Sequence, residues 1–319
     1  MMDGIWLENQ NVSFRQNLPL PHADPSEALI QLRLAGICST DLELVKGYYP
    51  YTGILGHEFV GDVIQATEHE DWIGKRVVGE INISCGRCNE CLAGRPTHCV
   101  GRTVLGISNK NGAFANYLTL PVENLHLVPD NISDEQAVFT EPLAAALEIH
   151  EQVQIRPTDR VLLVGAGRLG QLIAQTMSLT GCELLVLTRR EKQQKLLEST
   201  GARFIERGTL PEHTMDVVIE ATGSPDGFEI ARQAVRPRGT IILKSTYHGN
   251  LELDMSRIVV DEIQLIGSRC GPFPAALKLL STNRVDTQPL IDACFPLKKC
   301  LEAFQLAAQP GIFKVLLKT

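Results

Sequence analysis

The sequence predicts an α/β fold that joins a β-rich domain to a doubly wound parallel sheet. The chain has 319 residues, which is too long for one ordinary hydrophobic core, so two domains are expected. Residues 1–130 carry short runs with strand-like patterning that Gly and Pro interrupt. From residue 160 onward, continuous apolar runs alternate with amphipathic stretches. This alternation is typical of a parallel sheet covered by helices on both faces.

Each element of the N-terminal part follows from a local pattern. Strands are expected in "EALIQLRLAGI", "GHEFVGDVIQA", "GKRVVGEI" and "GAFANYLTLP". Ser133, with Gln136 three positions later, forms a Ser-x-x-Gln capping box that predicts the start of a helix. Pro142 falls inside the following stretch and predicts two helical pieces, the second with Pro near its start.

Strands and helices then alternate along the chain. Strands are expected in "RVLLVGAG", "ELLVLT", "MDVVIEATG", "TIILKST" and "IQLIGSR", and helices in "RLGQLIAQTMSLTG", "REKQQKLLESTG" and "GFEIARQAVRPRG". The tail ends in "FKVLLKT", which has the pattern of one more strand. We place the doubly wound domain at residues 149–271, and the other domain at residues 1–148 and 272–319.

Composition excludes several classes of function. Hydrophobic residues make up 44% of the chain and charged residues 21%, ordinary values for a soluble globular protein. The net charge of −7 and the lack of a basic run argue against a nucleic-acid partner. No apolar run is long enough for a membrane span. "MMDGIWLENQ" has no secretory pattern, so reduced thiols and a cytoplasmic location are expected.

Four cysteines in one short segment predict a structural zinc lobe. Cys85, Cys88, Cys91 and Cys99 stand at C-x2-C-x2-C-x7-C spacing within residues 85–99. Four thiolates on a tight loop close a tetrahedron around zinc and leave no open coordination position. Such a site holds a loop in shape and performs no chemistry, so a reactive site must lie elsewhere.

A glycine-rich turn predicts a dinucleotide site. Gly165, Gly167 and Gly170 form G-A-G-R-L-G, with Arg168 and Leu169 between the last two, directly after a strand and before a helix. In this context the glycines permit a tight turn, close approach of a pyrophosphate, and helix–strand packing. The phosphates are then held by the helix N-terminus. The alternative is a tight turn without a ligand.

The end of the next strand bears on the choice of cofactor. An acidic residue there would bind the ribose 2′-hydroxyl of NAD, but this chain has Thr188 followed by Arg189 and Arg190. Guanidinium groups offer charge-assisted donors to a 2′-phosphate, so NADP is expected in preference to NAD, with NAD possible. The alternative is a solvated basic turn. Thr222, after the strand "VVIE", is expected to border the nicotinamide.

Two further motifs predict an open metal site. "GICSTD" supplies Cys38, and "GHEFVG" supplies His57 and Glu58. A thiolate and an imidazole are ligands that a catalytic zinc prefers, and a carboxylate with an exchangeable water completes such a site. The carboxylate candidate is Glu141 in "TEPLAAAL", with Glu58 as a competitor.

Together these motifs resemble the zinc-dependent medium-chain dehydrogenase/reductase superfamily. The matching segments are "GICSTD", "GHEFVG", the cysteine lobe, "EPLAAAL" and "GAGRLG". They resemble the polyol and threonine dehydrogenase branch more than the animal alcohol dehydrogenases. The resemblance implies an N-terminal GroES-like catalytic domain and a Rossmann domain. It also implies two zinc ions per chain, one catalytic and one structural, and a homodimer or homotetramer.

The resemblance also assigns roles to the residues of the open site. Cys38, His57 and Glu141 would surround the catalytic zinc, while Glu58 either ligates directly or exchanges with water. Asp41 resembles the acid that orients the zinc-bound histidine, a role that would fix the imidazole tautomer. A loop or helix cap is the structural alternative for Asp41.

Two residues after Cys38 concern proton transfer. Thr40 resembles the hydroxyl that relays the substrate proton, with a helix N-cap as the alternative role. Glu43 stands where liver-type alcohol dehydrogenases have a histidine that passes the proton to solvent. Glu43 or water would then complete the proton path, and a solvated helix face is the alternative for Glu43.

The expected activity is reversible hydride transfer between an alcohol and NAD(P). A secondary alcohol or polyol is the expected substrate, because Tyr48, Tyr49 and Tyr51 offer hydrogen-bonding aromatics on a nearby loop. Surface packing of these tyrosines is equally open. One rival is a zinc-free quinone or enone reductase of the same fold. Another is a non-enzymatic protein that uses the cysteine lobe to bind a partner.

Overall fold

The computed structural model describes residues 1–188, 190–210, 212–246, 251 and 253–319. The chain divides into two compact units, Met1–Glu141 with Phe273–Thr319, and Pro142–Pro272. The boundaries expected from sequence lie after residues 148 and 271. Within the described ranges, no helix combines the length and the apolar character that crossing a membrane requires.

The N-terminal part of the first unit is built mainly from short strands. Its elements are β1 (Met2–Glu8), β2 (Asn11–Leu18), β3 (Glu27–Gly36), α1 (Ser39–Val45), β4 (Gly53–Ile54), β5 (Glu58–Ala66), β6 (Arg76–Gly79), β7 (Asn82–Ile83), α2 (Asn89–Leu92), β8 (Thr103–Leu105), β9 (Asn109–Lys110), β10 (Tyr117–Pro121), β11 (Leu125–Leu127) and α3 (Asp134–Ala137).

The chain then alternates between helices and strands before it returns to the first unit. The alternating elements are α4 (Thr140–Gln152), β12 (Arg160–Val164), α5 (Arg168–Ser178), β13 (Glu183–Leu187), α6 (Glu191–Lys195), β14 (Arg203–Ile205), β15 (Met215–Glu220), α7 (Pro225–Ala234), β16 (Val235–Leu243), α8 (Met255–Val260) and β17 (Gln264–Gly267). The returning elements are α9 (Phe273–Ser281), β18 (Ile291–Pro296), α10 (Cys300–Ala307) and β19 (Lys314–Lys318).

The main sheet of the first unit brings distant segments of sequence together. Its strand order is β11-β6-β5-β3-β19-β18, and β10 also pairs with β3. In the antiparallel registers, Gly36 at the end of β3 lies opposite Glu58 of β5 and opposite Leu316 of β19. The centres of the Phe114 and Phe304 rings lie 6.2 Å apart in an edge-to-face contact, which stabilises the hydrophobic core of this unit.

The second unit is a parallel sheet, as the sequence predicts. Its order is β14-β13-β12-β15-β16-β17, and each neighbouring pair is parallel. The apolar run Val161–Val164 of β12 is fully buried because helices cover both faces. The predicted α/β fold with a doubly wound domain is confirmed.

The sequence predicts the start of one helix correctly and the ends of two others wrongly. At α3, the backbone N–H of Gln136 donates to Ser133 Oγ at 3.2 Å, and the N–H of Ser133 donates to Gln136 Oε1 at 3.0 Å. The helix predicted through "GFEIARQAVRPRG" ends at Ala234, because Pro237 lacks an N–H and the segment joins β16 instead.

The helix predicted through "REKQQKLLESTG" is also shorter than expected. It ends at Lys195 and gives way to a turn and a short 3-10 segment. There the Thr200 hydroxyl donates to the Leu197 carbonyl at 2.6 Å. Such a local side-chain bond competes with the helical hydrogen-bond ladder.

Candidate metal and dinucleotide sites

Asp41 connects two of the predicted metal ligands. Cys38 precedes α1 with an extended backbone, and its N–H donates to Asp41 Oδ2 at 2.8 Å. The other oxygen, Oδ1, lies 3.4 Å from His57 Nδ1 in an ion-pair contact that falls outside hydrogen-bond geometry. Asp41 is fully buried. One carboxylate therefore fixes the loop of Cys38 and faces the ring of His57.

Cys38, His57 and Glu58 form a cluster with the chemistry of a metal site. Their ligand atoms all lie within 4.8 Å of one another. His57 is 2% exposed and Glu58 1% exposed, and Glu58 Oε1 is buried without a hydrogen-bond partner. Burial opposes the charged form of His57, yet the nearby charges of Asp41 and then Cys38 raise the pKa of His57 well above its usual value. A thiol, an imidazole and a carboxylate are donors of the kinds that a divalent zinc ion prefers.

Glu141, the preferred carboxylate of the sequence prediction, is not one of the three residues in that cluster. It is half-buried in the first turn of α4. Glu58 enters the cluster because the register of β3 and β5 sets it opposite Gly36, two residues before Cys38. A role for Glu141 stays a prediction.

The two residues predicted for proton transfer lie on α1. Thr40 Oγ1 is 3.8 Å from Cys38 Sγ, so the hydroxyl lies beside the cluster of Cys38, His57 and Glu58. Glu43 accepts a 2.7 Å hydrogen bond from Lys46 Nζ, whose side chain is 68% exposed. Glu43 thus forms a surface ion pair, and its place in a proton path stays a prediction.

The four cysteines of residues 85–99 come together as the spacing predicts. Their sulfur atoms lie within 4.8 Å of one another, and Cys88 Sγ is 3.5 Å from Cys91 Sγ. A zinc–thiolate tetrahedron with bonds of about 2.3 Å has edges of about 3.8 Å, so the sulfur atoms are close to ligating geometry.

The electrostatics of this lobe differ between neighbouring thiols. Backbone N–H groups of Cys91 and Val100 lower the pKa of Cys88 to about 6. Desolvation raises the pKa of Cys91 to about 11, an effect that a bound divalent cation would offset. The Cys85 N–H donates to Cys99 Sγ at 3.3 Å, which joins the two ends of the lobe.

The three glycines of the dinucleotide motif have distinct geometric roles. Gly165 has a φ of +102° and makes the turn after β12. A Cβ on Gly170 would lie 2.1 Å from the Gly165 carbonyl oxygen, so α5 approaches the turn closely. A Cβ on Gly167 would meet no atom of the chain within 4 Å. Gly167 leads into Arg168 and Leu169 at the start of α5, where the helix end favours an anion.

Thr188 follows β13 and its hydroxyl is already bonded. Thr188 Oγ1 donates to Gln193 Oε1 at 2.5 Å and accepts a long, 3.4 Å hydrogen bond from the Arg190 N–H. Arg190 is exposed, whereas Arg189 lies outside the described residues. Buried Gln171 donates to the carbonyls of Ala166 and Gln193, and so links this loop to the glycine turn.

Thr222 lies where the sequence predicts, directly beyond β15. Its N–H and its hydroxyl both donate to Glu220 Oε1, at 2.7 and 2.5 Å. Its neighbour Gly223 donates its N–H to Ser245 Oγ beyond β16 at 2.7 Å. Because the carboxyl ends of parallel strands share one edge of the sheet, this loop and the glycine turn lie at the same edge.

One residue of the metal site has no counterpart in the sequence prediction. Lys314, the first residue of β19, is 4% exposed and pairs with Glu58. A lysine within the otherwise apolar run "IFKVLL" is the signal that the sequence offers for this residue.

Two family models match the chain, one for each unit's main segment. "Alcohol dehydrogenase GroES-like domain" matches residues 24–130, and "Zinc-binding dehydrogenase" matches residues 169–282. An L-threonine 3-dehydrogenase from Chelativorans sp. (strain BNC1) is 30% identical over 288 residues, covering 83% of this chain and 80% of the relative. The chain belongs to the medium-chain dehydrogenase/reductase superfamily. The two family models and the named relative identify it as an NAD(P)-dependent alcohol dehydrogenase.

Solved structures of this superfamily match over nearly the whole chain. A zinc-binding dehydrogenase from Sinorhizobium meliloti 1021, with NADP bound, has a TM-score of 0.92 at 28% identity and covers 100% of this chain and 99% of that one. A structure from Escherichia coli CFT073, described as a short chain alcohol dehydrogenase in complex with NADH, has a TM-score of 0.91 at 26% identity, with coverage of 100% of this chain and 99% of that one. Structures of this shape therefore hold either nucleotide.

Proposed function

We propose that the chain catalyses the reversible oxidation of a secondary alcohol or polyol with NADP, at a zinc ion held by Cys38, His57 and a carboxylate. The observation that carries the proposal is the cluster of half-buried Cys38 with buried His57 and Glu58, where Asp41 contacts both Cys38 and His57. A thiolate, an imidazole and a carboxylate match the donor set of an open zinc site. Glu58 Oε1 is buried without a hydrogen-bond partner, and this also supports the proposed zinc site. Burial of an unpaired carboxylate oxygen costs free energy, which a bound cation would offset.

A zinc ion in this cluster supplies Lewis acidity, which lowers the pKa of an alcohol hydroxyl and polarises a carbonyl in the reverse direction. The protein's own residues prepare that chemistry. Asp41 holds the Cys38 loop and faces His57 Nδ1, which leaves Nε2 as the ligand atom. Buried surroundings exclude water and strengthen each of these interactions.

Proton transfer is assigned to Thr40. Its hydroxyl stands 3.8 Å from Cys38 Sγ, beside the place where a substrate hydroxyl would be activated. A hydroxyl accepts a proton from one neighbour and passes its own to another, so it relays without a change of charge. Beyond Thr40, Glu43 or solvent carries the proton onward, and the exposed ion pair with Lys46 favours solvent.

The second unit is proposed to hold the nucleotide. The open space at Gly167 and the start of α5 suit the pyrophosphate, and Thr222 borders the nicotinamide. NADP is preferred because Thr188 replaces the acid that binds a 2′-hydroxyl, and Arg190 is exposed close by. The S. meliloti relative, with NADP bound, supports this choice, whereas the E. coli relative holds NADH.

The cysteine lobe is proposed to hold a second, purely structural zinc. Four sulfur donors leave no site for a substrate, so this ion acts on stability alone. A homodimer or homotetramer is proposed from resemblance to the family, and a cytoplasmic location from the N-terminal sequence, which has no secretory pattern.

The substrate class follows from the relatives and from one loop. The relative from Chelativorans sp. is an L-threonine 3-dehydrogenase, and the hydroxyl at position 3 of L-threonine is a secondary alcohol. Tyr51 is unsuited to contact substrate, because its hydroxyl lies 2.7 Å from the Ile54 carbonyl and 3.0 Å from the Lys110 carbonyl. Tyr48 and Tyr49 are exposed and remain available to a polar substrate.

A metal assay joined to a substrate screen tests the proposal. Secondary alcohols, polyols and 3-hydroxy amino acids are offered with NADP+ or NAD+, and formation of the reduced nicotinamide is followed. We expect about two zinc ions per chain and turnover that a chelator abolishes. Full alcohol oxidation after removal of the non-lobe zinc would contradict the proposed metal chemistry. Reduction of quinones or enones without turnover of any alcohol would favour the zinc-free reductase.

A further inference from the structure

Lys314 and Glu58 form a buried ion pair at the edge of the metal cluster. Lys314 Nζ donates to Glu58 Oε2, and the two side chains are 4% and 1% exposed. The ammonium also lies 5.4 Å from the centre of the Phe139 ring, a cation–π contact. An ion pair without water costs desolvation energy that only good geometry offsets. Its presence beside a reactive cluster therefore points to a role.

The fold is built to make room for this pair. Gly36 lies between β5 and β19, opposite Glu58 on one side and Leu316 on the other. A Cβ on Gly36 would lie 2.5 Å from Glu58 Oε2 and 3.2 Å from Lys314 Cδ. A side chain at this position would displace the ion pair, so the missing side chain is a steric requirement of the site.

The two oxygens of Glu58 have different surroundings. Oε2 is bonded to Lys314, while Oε1 is buried without a hydrogen-bond partner. The carboxylate also belongs to the cluster with Cys38 and His57. We propose that Lys314 is a positioning residue that competes with the metal for Glu58, holding Oε2 so that only Oε1 is available to the ion. This inference rests on the proposed zinc site.

The proposal gives Lys314 a direction of effect on metal affinity. The positive ammonium reduces the negative potential at Glu58 and restrains its rotation toward the cluster. Without Lys314, both oxygens of a buried, unpaired carboxylate would turn to the nearest cation. A weaker hold by Glu58 leaves a coordination position for exchange between the carboxylate and a substrate oxygen.

The test measures zinc affinity by competition with a chelator, in Lys314→Met and in Lys314→Arg. Lys314→Met should bind the non-lobe zinc about 10- to 100-fold more tightly, a change opposite in sign to, and as large as, the loss usual when a group that supports a metal ligand is removed. Lys314→Arg keeps the charge, and its guanidinium can still pair with Glu58, so it should not bind the ion more tightly than the wild type does. With cobalt in place of zinc, the visible spectrum of Lys314→Met should shift, because the carboxylate coordination changes. Unchanged affinity and an unchanged spectrum in folded Lys314→Met would overturn the proposal.

A second variant covers the case in which Lys314→Met fails to fold. Lys314→Met combined with Glu58→Gln removes both charges and should bind zinc as Glu58→Gln alone does, because Lys314 acts only through the carboxylate. A zinc affinity of the double variant that differs from that of Glu58→Gln alone would show that Lys314 acts by another route, and would also overturn the proposal. A wild type that holds only the lobe zinc would instead remove the proposed function, and this inference with it.

Discussion

Asp41 and Cys38 are joined by a 2.8 Å hydrogen bond from the Cys38 N–H to Asp41 Oδ2, and the other carboxylate oxygen faces His57 Nδ1 at 3.4 Å. The bond fixes the backbone that carries the thiol, and the ion-pair contact sets which ring nitrogen stays free. Asp41 is fully buried, so neither interaction is weakened by solvent. The arrangement of Cys38 and His57, two of the proposed ligands, is thus set by a residue outside their cluster.

Asp41→Asn should weaken metal binding with little loss of fold. The amide still accepts from the Cys38 N–H through its oxygen, but its NH₂ group would face His57 Nδ1 and remove the charge that orients the ring. We expect zinc affinity at the non-lobe site to fall about 10- to 100-fold. Chelator competition measures it, with the thermal midpoint as the control. A zinc affinity equal to that of the wild type would contradict the role given to Asp41.

Cys38→Ala should lose one of the two zinc ions and lower turnover by at least about 100-fold, since a ligand matters at least as much as the groups that orient it. Metal analysis and steady-state kinetics measure both effects. Cys300→Ala is the matched control, because Cys300 is a buried thiol of the same unit at the start of α10 and belongs to neither metal group. It should keep both ions. Equal zinc content in the two variants would be evidence against Cys38 as a ligand.

The sequence predicts the local parts of both sites and misses the long-range ones. The glycine turn, the cysteine lobe and the Ser133 capping box each lie within a few residues of chain, so spacing alone carries their geometry. The ion pair of Lys314 and Glu58 spans 256 residues. It forms because β19 pairs with β3, and strand pairing at that distance leaves no local periodicity to read.

The choice of carboxylate is also not settled by local spacing. The sequence offers Glu141, with Glu58 as a competing candidate, and a role for Glu141 stays a prediction. The register of β3 and β5 brings Glu58 to the cluster, and register is a property of paired strands rather than of either strand alone. The end of α7 differs for a related reason, since Val235 joins a sheet ladder that outweighs helix propensity.

Thr188→Asp should move the cofactor preference from NADP toward NAD. A carboxylate after β13 accepts from a ribose 2′-hydroxyl and repels a 2′-phosphate. The ratio of kcat/KM for NADP to that for NAD should fall by at least about tenfold, the value of one hydrogen bond to a charged group. Thr180→Asp adds the same charge before β13, at the opposite edge of the sheet, and should leave the ratio unchanged. A wild type that already prefers NAD would refute the premise.

Cys88→Ala should lower stability far more than activity. Zinc binding to a four-thiolate lobe contributes directly to folding free energy, and none of its thiols belongs to the Cys38 cluster. We expect the thermal midpoint to fall by at least about 5 °C, a loss of a few kcal/mol in a unit of this size. Turnover per folded molecule at low temperature should stay within about threefold of the wild type. Loss of turnover without loss of stability would assign the lobe a catalytic role.

Gly167→Ala and Gly170→Ala should separate nucleotide binding from folding. A Cβ on Gly167 meets no atom of the chain within 4 Å, so the variant should keep its thermal midpoint. The methyl group fills the space proposed for the pyrophosphate, so NADP affinity should fall at least about tenfold, by loss of close backbone approach.

A Cβ on Gly170 would lie 2.1 Å from the Gly165 carbonyl, and the forced shift of α5 should cost about 1–3 kcal/mol of stability. Calorimetric titration and thermal unfolding measure the two effects in each variant. If Gly167→Ala binds NADP as the wild type does, the pyrophosphate does not lie against that turn.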